Sequence, residues 1–413
     1  MLKIKDMMDV VVIGGGPAGL SAALSLEGIG LKVTVIDPAP MTALQEPSFD
    51  GREIALTHHS VSLMKSMGIW DRIPQDEISS LREARVENGE ENNPLIFDTQ
   101  GKGEEALGYL VPNHLIRKAT FEEVQSREGI TVLSNTRCNK LNCFVDYARV
   151  EYSNADQDDA VFSTKLAVVS DGRFSKIRDS LEIGYLLHDF HRHMMVCRMK
   201  HELRHHQVAL QWFDKGQTVA LLPLNNNVTS VVLSLPPDEM NRVRSLGAEQ
   251  FNLEIMKRIH GRLGKMELVS TRHVYPLKTV FANRFETRHA ALVGDTAIGM
   301  HPITAHGYNF ALIAQEILAD EVLAGLKRGE EIGTSKQLRH FEKRLRIKTM
   351  PMFTLTNIIA TLYTREEKGL WKLRRLGIKT ANLLKPVKNK VVDTLIDKTT
   401  ILPSPKSILS KRF

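Results

Sequence analysis

The chain has 413 residues, 42% hydrophobic and 25% charged, which suits two or three packed units with a sizeable buried core and excludes a chain that stays disordered. Its formal charge of +7 is uneven: from Phe341 to Phe413, 17 Lys and Arg stand against 5 Asp and Glu, a local +12 that leaves −5 on the preceding 340 residues. That placement speaks against a uniformly nucleic-acid-binding surface and fits a basic appendage that meets an acidic partner or anionic lipid.

Lys3, Lys5 and Asp6 precede an apolar run with the wrong length and flanks for a signal peptide. Asp9–Ile13 reads as a strand, followed by Gly14-Gly15-Gly16-Pro17-Ala18-Gly19, a helical pattern over Leu20–Leu26, and a strand Lys32–Ile36 ending at Asp37. This is the GxGxxG dinucleotide fingerprint with its local context: Gly14 for the tight turn, Gly16 for backbone approach to a pyrophosphate, Gly19 for helix–strand packing, and Asp37 for a ribose hydroxyl. Ile54–Met67 and Asn113–Gln125 read as helices, Asn113 as an N-cap after Pro112, and Gly89–Gly103 as a loop or hairpin tip. Ile130–Leu133, Arg137–Tyr152 and Val161–Val169 read as strands. Gln207–Phe213, Gln217–Leu222 and Val228–Leu235 alternate with short polar turns, an antiparallel signature. Glu239–Ile259 is helical in pattern, and Met266–Tyr275 returns to strand before Pro276. Ala290–Val293 is a buried-strand candidate ending at Gly294-Asp295; Met300-His301-Pro302, Gly307 and a helix Tyr308–Leu326 follow. The last 75 or so residues favour helices, with breaks at Gly369, Gly377 and Pro386.

Three separated segments together resemble the aromatic-ring hydroxylase family of FAD monooxygenases, especially its ubiquinone-biosynthesis branch. They are Gly14–Gly19 with Asp37; Asp171-Gly172-Arg173-Phe174-Ser175-Lys176-Ile177-Arg178; and Gly294-Asp295 followed by His301-Pro302 and Gly307-Tyr308-Asn309. Arg52–Leu56 also looks like the family's early flavin-contacting region. The resemblance implies an α/β fold: a discontinuous Rossmann-like FAD-binding domain, an inserted antiparallel-sheet substrate domain and C-terminal helices. The expected FAD-binding segments are 1–74, 111–180 and 281–335, the substrate-domain segments 75–110 and 181–280, and the helical region 336–413.

The same resemblance implies site roles. Gly14, Gly16 and Gly19 would hold the FAD pyrophosphate and Asp37 the adenosine ribose. Arg52 would lie near the phosphate or ribityl chain, and Asn113 or Arg117 would reach the same chain. Asp171 would sit where flavin and nicotinamide functions meet, Asp295 would bind the ribityl or pyrophosphate region, and Pro302 and Gly307 would shape backbone beside the flavin ring. Plain structural alternatives exist: a loop salt bridge for Arg52, a turn cap for Asp171, a helix cap for Asp295. The third segment departs from the common pattern, with Ile298 where relatives often have His, and Ala305 and His306 where they have Gly and Gln. His301 and His306 are the polar candidates beside the reacting ring, each equally explicable as a cap or a packed histidine.

The implied reaction uses NADPH or NADH as transient electron donor and inserts one atom of molecular oxygen into a hydrophobic polyprenylated phenol through a flavin C4a-hydroperoxide. The alternatives are a flavin-dependent isoprenoid reductase, a monooxygenase of another aromatic compound, and a non-catalytic FAD-dependent assembly protein. There is neither a second Rossmann fingerprint nor a CxxxxC redox pair, and the halogenase WxWxIP motif is absent. His191, His193, His201, His205 and His206 lack a metal-ligand pattern, so no metal is expected. Cys138 and Cys143, beside Leu141 and Phe144, read as buried rather than redox-active. The odd thiol count fits a reducing compartment, and the expected location is cytoplasmic. Attraction to the membrane face, or to a quinone-biosynthesis assembly, would fall to the basic C-terminal region, with no specific nucleic-acid partner.

Overall fold

The computed structural model describes residues 7–89, 94–99, 104–154, 157–214, 216–304 and 306–364. The expected helix breaks at Gly369, Gly377 and Pro386 lie outside these residues, as does Ala305.

An eight-stranded sheet is built around Met8–Ile13, whose four residues Val10–Ile13 are buried. It pairs in parallel with Val33–Ile36 on one side and with Gln157–Val169 on the other. Ile130–Leu133 extends the first edge and Ala290–Leu292 the second, again in parallel. Such strands are covered on both faces, hence the nearly unbroken Val, Ile, Leu and Ala composition. Helix Pro17–Glu27 packs against the helix Gly307–Lys327, and both belong to the main core. Because residues 8 and 290 share one sheet, the chain leaves this unit after the 157–169 strand and returns to it, as expected of a discontinuous α/β architecture.

The excursion supplies most of a nine-stranded, mostly antiparallel sheet, which Glu83–Asn88 and Leu95–Asp98 from earlier in the chain and Ile298–Gly299 from later in it complete. Tyr185–His201 lies at its centre, between His273–Ala282 and Val228–Leu235. Side-chain alternation gives this sheet two different faces. Met195, Cys197, Met199, Val219, Leu221, Val231 and Leu233 pack under two helices, Pro237–Ser245 and Ala248–Arg258. Phe190, Met194, Val196 and Leu277 occupy the opposite face, where Ala360 of the helix Ser335–Thr364 meets them. A three-stranded sheet of Glu53–Leu56, Gly108–Pro112 and Ser79–Leu81 joins the two larger ones.

Several local expectations are corrected. Ile54–Met67 is not one helix: Glu53–Leu56 pairs with Gly108–Pro112, and the helix begins at His58 behind Thr57, whose hydroxyl accepts from Ser60 N–H. Asn113 is not the N-cap; it is the first helical residue after Pro112, and its amide is turned to Asp50. Arg137–Tyr152 folds back on itself as Thr136–Cys143 and Ala148–Asn154, with Phe144 N–H bonded to Tyr147 C=O at the turn. Glu239–Ile259 is two helices parted at Leu246 and Gly247. Pro276 stands inside a strand, opposite His193 where the register with Tyr185–His201 shifts, a bulge position that tolerates a residue lacking N–H.

Candidate active site

The three motif segments meet at the ends of the parallel strands. Gly14 takes φ +109°, a conformation that side chains resist, and a Cβ there would stand 2.6 Å from Ser170 C=O. Gly19 packs more tightly still: a Cβ would lie 2.0 Å from Gly14 O and 2.3 Å from Ser170 Oγ. Gly16 differs, because a Cβ there would meet nothing within 4 Å. Gly16 is the N-cap of Pro17–Glu27 and makes no side-chain cap, so a helix start faces open space. Asp37 Oδ2 accepts from Gly15 N–H at 2.6 Å and Oδ1 from Ala39 N–H at 2.8 Å, which ties the second strand to the glycine turn.

Asp171 and Asp295 are joined through Thr296 and Arg173. Thr296 Oγ1 donates to Asp171 Oδ1 and accepts from Gly172 N–H at 3.0 Å. Asp171 Oδ2 also accepts a long bond from Ile177 N–H at the start of the short helix Lys176–Ser180. Arg173 donates to Asp295 Oδ2 through Nε at 3.2 Å and Nη2 at 2.8 Å. Nη1 bonds Lys278 C=O and Nη2 bonds Met300 C=O. One guanidinium therefore holds the Asp295 turn, the antiparallel sheet and the segment before Pro302 in fixed relation. The other Asp295 oxygen, Oδ1, lies 4.0 Å from where a Cβ of Gly307 would be, at the first turn of Gly307–Lys327.

Arg52 and Asn113 converge on Asp50. Arg52 Nη2 donates to Asp50 Oδ2 at 2.6 Å and Asn113 Nδ2 donates to the same oxygen at 2.7 Å. Burial would raise the Asp50 pKa, but these bonds outweigh it and hold the carboxyl below its ordinary value. The Arg52 guanidinium also lies 5.6 Å from the Tyr275 ring, whose hydroxyl donates to Asp50 C=O. Arg117, one turn into the helix from Asn113, is half-buried and has no hydrogen-bond or ion-pair partner among the described residues.

Pro302 opens a short 3-10 turn and is exposed, while His301 before it is buried. His301 Nδ1 accepts from Ile303 N–H at 3.2 Å, so a neutral ring carries its proton on Nε2. The ring meets Phe190 edge to face at 4.6 Å. Burial, with Arg173 and His188 adding to it, pushes the His301 pKa down to about 3. A ring in this state can donate from Nε2 and is a poor proton acceptor. His306 is buried at the N-cap position of Gly307–Lys327, makes no capping bond, and lies 5.7 Å from the Phe310 ring.

Arg173, Asp50 and Tyr275 are the site residues that sequence reasoning missed. Arg173 lay inside a quoted motif, but its acceptors are distant in the chain and two of them are backbone carbonyls, which leave no side-chain signal. A cavity of about 400 Å³ between Ser79, Arg204, Gln207 and Asn225 shares none of these residues. The cysteines are not poised for redox chemistry, since burial raises Cys138 to about 12 and Cys143 to about 11.

The FAD binding domain family model matches residues 7–331. Ubiquinone hydroxylase UbiM of Neisseria meningitidis is 40% identical over 391 residues, covering 94% of this chain and 84% of that protein. Ubiquinone hydroxylase UbiL of Rhodospirillum rubrum is 29% identical over 402 residues, covering 97% and 92%. Among solved structures, p-nitrophenol 4-monooxygenase PnpA of Pseudomonas putida superposes with a TM-score of 0.75 at 17% identity, over 96% of this chain and 99% of that one, a likeness of fold. The expected family and α/β flavoprotein fold are borne out: this chain belongs to the FAD binding domain family of FAD-dependent monooxygenases, alongside the ubiquinone hydroxylases.

Proposed function

We propose that this chain is an FAD- and NAD(P)H-dependent hydroxylase that places one oxygen atom on the ring of a polyprenylated phenol or quinone precursor in ubiquinone biosynthesis. The observation that carries the reading is the 40% identity to a ubiquinone hydroxylase over 94% of the chain. The site's geometry supports it, because an uncapped helix start facing open space, a glycine turn and the carboxylate of Asp295 suit a dinucleotide with a polyol chain. When bound, flavin supplies acceptance of a hydride from the nicotinamide and activation of oxygen; one oxygen atom enters the ring and the other leaves as water.

This chain's residues bind, orient and exclude water. Gly14, Gly16 and Gly19 hold the pyrophosphate at the helix start, and Asp37 takes the ribose with the lone pairs its two backbone bonds leave free. Arg52, held by Asp50, lies along the phosphate or ribityl chain with Asn113 and Arg117. Asp295, steadied by Arg173, takes ribityl hydroxyls, and Gly307 and Pro302 present backbone beside the ring. The sheet face of Phe190, Met194, Val196 and Leu277 is the apolar wall for an aromatic ring and its isoprenoid chain. His301 serves as a neutral donor or packing group rather than as the phenol's base. Localisation at the cytoplasmic membrane face belongs to the same reading, because the substrate is lipidic.

The test is turnover of FAD-loaded protein with each nicotinamide and a panel of polyprenylphenols under isotopic oxygen. One phenol should accelerate nicotinamide oxidation and take up one labelled atom. Peroxide formation without labelled product across the panel would reject the substrate class. Pro302→Gly should keep FAD but lower the ratio of product to nicotinamide consumed; an unchanged ratio would remove Pro302 from the coupling geometry.

A further inference from the structure

Ser335–Thr364, the last helix among the described residues, has two apolar faces, and only one of them packs against the other described residues. Leu338, Phe341, Leu345, Phe353 and Ala360 follow the three-and-four spacing of a helix and are buried. They seat the helix on the protein: Phe353 lies 4.7 Å from Phe281, and Ala360 joins Phe190, Met194, Val196 and Leu277. The opposite face carries Ile347, Met350, Leu355 and Ile358, exposed by 67%, 49%, 44% and 58%. Their spacing again follows the helical repeat, so they form a continuous stripe rather than scattered contacts.

Charge identifies the kind of surface that the stripe would meet. From Lys343 to Thr364 there are four Lys and Arg and no Asp or Glu. Lys343 and Lys348 are exposed and have no ion pair among the described residues, while Arg344 pairs with Asp320 and Glu321 of the preceding helix and Arg346 with Glu342 one turn back on its own. The chain continues for residues 365–413 with 13 Lys and Arg against 4 Asp and Glu, so a strongly basic stretch starts where the stripe ends. A second copy of this chain would bring like charges together. No helix among the described residues is long and apolar enough to cross a membrane, which leaves the interfacial geometry for this one.

We propose that the outer stripe of Ser335–Thr364 docks on an anionic bilayer, with Ile347, Met350, Leu355 and Ile358 in the headgroup boundary and Lys343 and Lys348 on anionic lipid phosphates. The stripe and charges stand on their own; only the purpose of docking rests on the proposed polyprenylated substrate. The helix is one diameter, about 10 Å, thick. Docking through its outer face therefore brings the apolar sheet wall under its inner face close to the bilayer, so that an isoprenoid chain can stay partly in lipid while its ring reaches the site.

The experiment is cosedimentation of the full FAD-loaded chain with vesicles of phosphatidylethanolamine and phosphatidylglycerol, and with vesicles of phosphatidylcholine alone. Binding should favour the anionic vesicles. The double variant Ile347→Gln with Ile358→Gln should lose about tenfold or more in partitioning, from the apolar area it withholds. Lys343→Gln and Lys348→Gln should each lose about fivefold on anionic vesicles only. All four substituted positions are exposed, so flavin spectra and turnover of a short-chain soluble phenol should be unchanged. Wild-type partitioning by the double variant would overturn the docking face and leave adsorption to the basic segment alone. A change in sedimentation without vesicles, with partitioning unaffected, would overturn it in favour of a contact between copies. Failure to oxygenate any phenol would count against the proposed function and not against docking, which is read without turnover.

Discussion

Replacing Gly16 by alanine separates what the fold needs from what the cofactor needs. The residue has φ −73° and ψ 173°, which any L-residue adopts, and its Cβ would meet nothing within 4 Å. Reduced freedom of the unfolded chain stabilises such a change by about 0.4–1 kcal/mol, and loss of glycine at an N-cap costs roughly as much. The apoprotein should therefore melt within about 2 °C of wild type. The new methyl stands where the pyrophosphate is proposed to approach the helix start. Losing one or two charge-assisted hydrogen bonds, each about 1.5–3 kcal/mol, raises the FAD dissociation constant about tenfold to a hundredfold or more. Titration of apoprotein followed by flavin fluorescence measures this directly. Gly19→Ala is the contrast, since its methyl would lie 2.0 Å from Gly14 O. It should destabilise the apoprotein by about 1–3 kcal/mol through overpacking. Wild-type FAD affinity in Gly16→Ala would refute the proposed path of the pyrophosphate, and a wild-type melt of Gly19→Ala would refute the packing argument.

Asp295→Ala should weaken FAD and also release Arg173, so Arg173→Met should shift the flavin absorption spectrum even if FAD is retained; identical spectra would show that Arg173 does not transmit to the ring. His301 predicts a pH dependence. Its folded pKa is depressed to about 3 against an ordinary 6.5, so below pH 6.5 the unfolded chain binds a proton that the folded one refuses. Stability should fall by up to about 1.4 kcal/mol per unit as pH drops from 6.5 towards 3, and be flat in this contribution above 6.5. Urea denaturation of wild type and His301→Asn across that range checks it, and equal slopes in the two proteins would place the proton uptake elsewhere.

Local, repetitive signals made much of the fold legible. The glycine turn between Asp9 and Asp37, the helix Asn113–Gln125 and the strand Val228–Leu235 need only neighbours in sequence to be recognised. Ile54–Leu56 was misread because a short apolar run fits a helix as well as a strand; what decides is pairing with Gly108–Pro112, about fifty residues on. The hairpin inside Arg137–Tyr152 was hidden by a turn at Phe144–Tyr147 that lacks glycine and proline. In the site, residue types announced the acids and glycines, whereas the support of Asp295 by Arg173 and of Arg52 by Asp50 arises from tertiary placement.

The parallel pairing of Ala167–Val169 with Ala290–Leu292 has a consequence for how the protein is made. The strand ending at Val169 is buried and apolar at its end, and its outer partner lies roughly 120 residues later, about 6–24 s of ribosomal synthesis at ordinary rates. Throughout that interval the nascent sheet presents an open hydrophobic edge, the kind that recruits other chains. Asp295 and Gly307 follow the closing strand, so the nascent chain completes the proposed flavin pocket only after the edge is sealed. Flavin supplied during synthesis therefore comes too late to protect the early sheet, and yield of soluble protein should respond to chaperones acting on the ribosome-bound chain more than to added flavin.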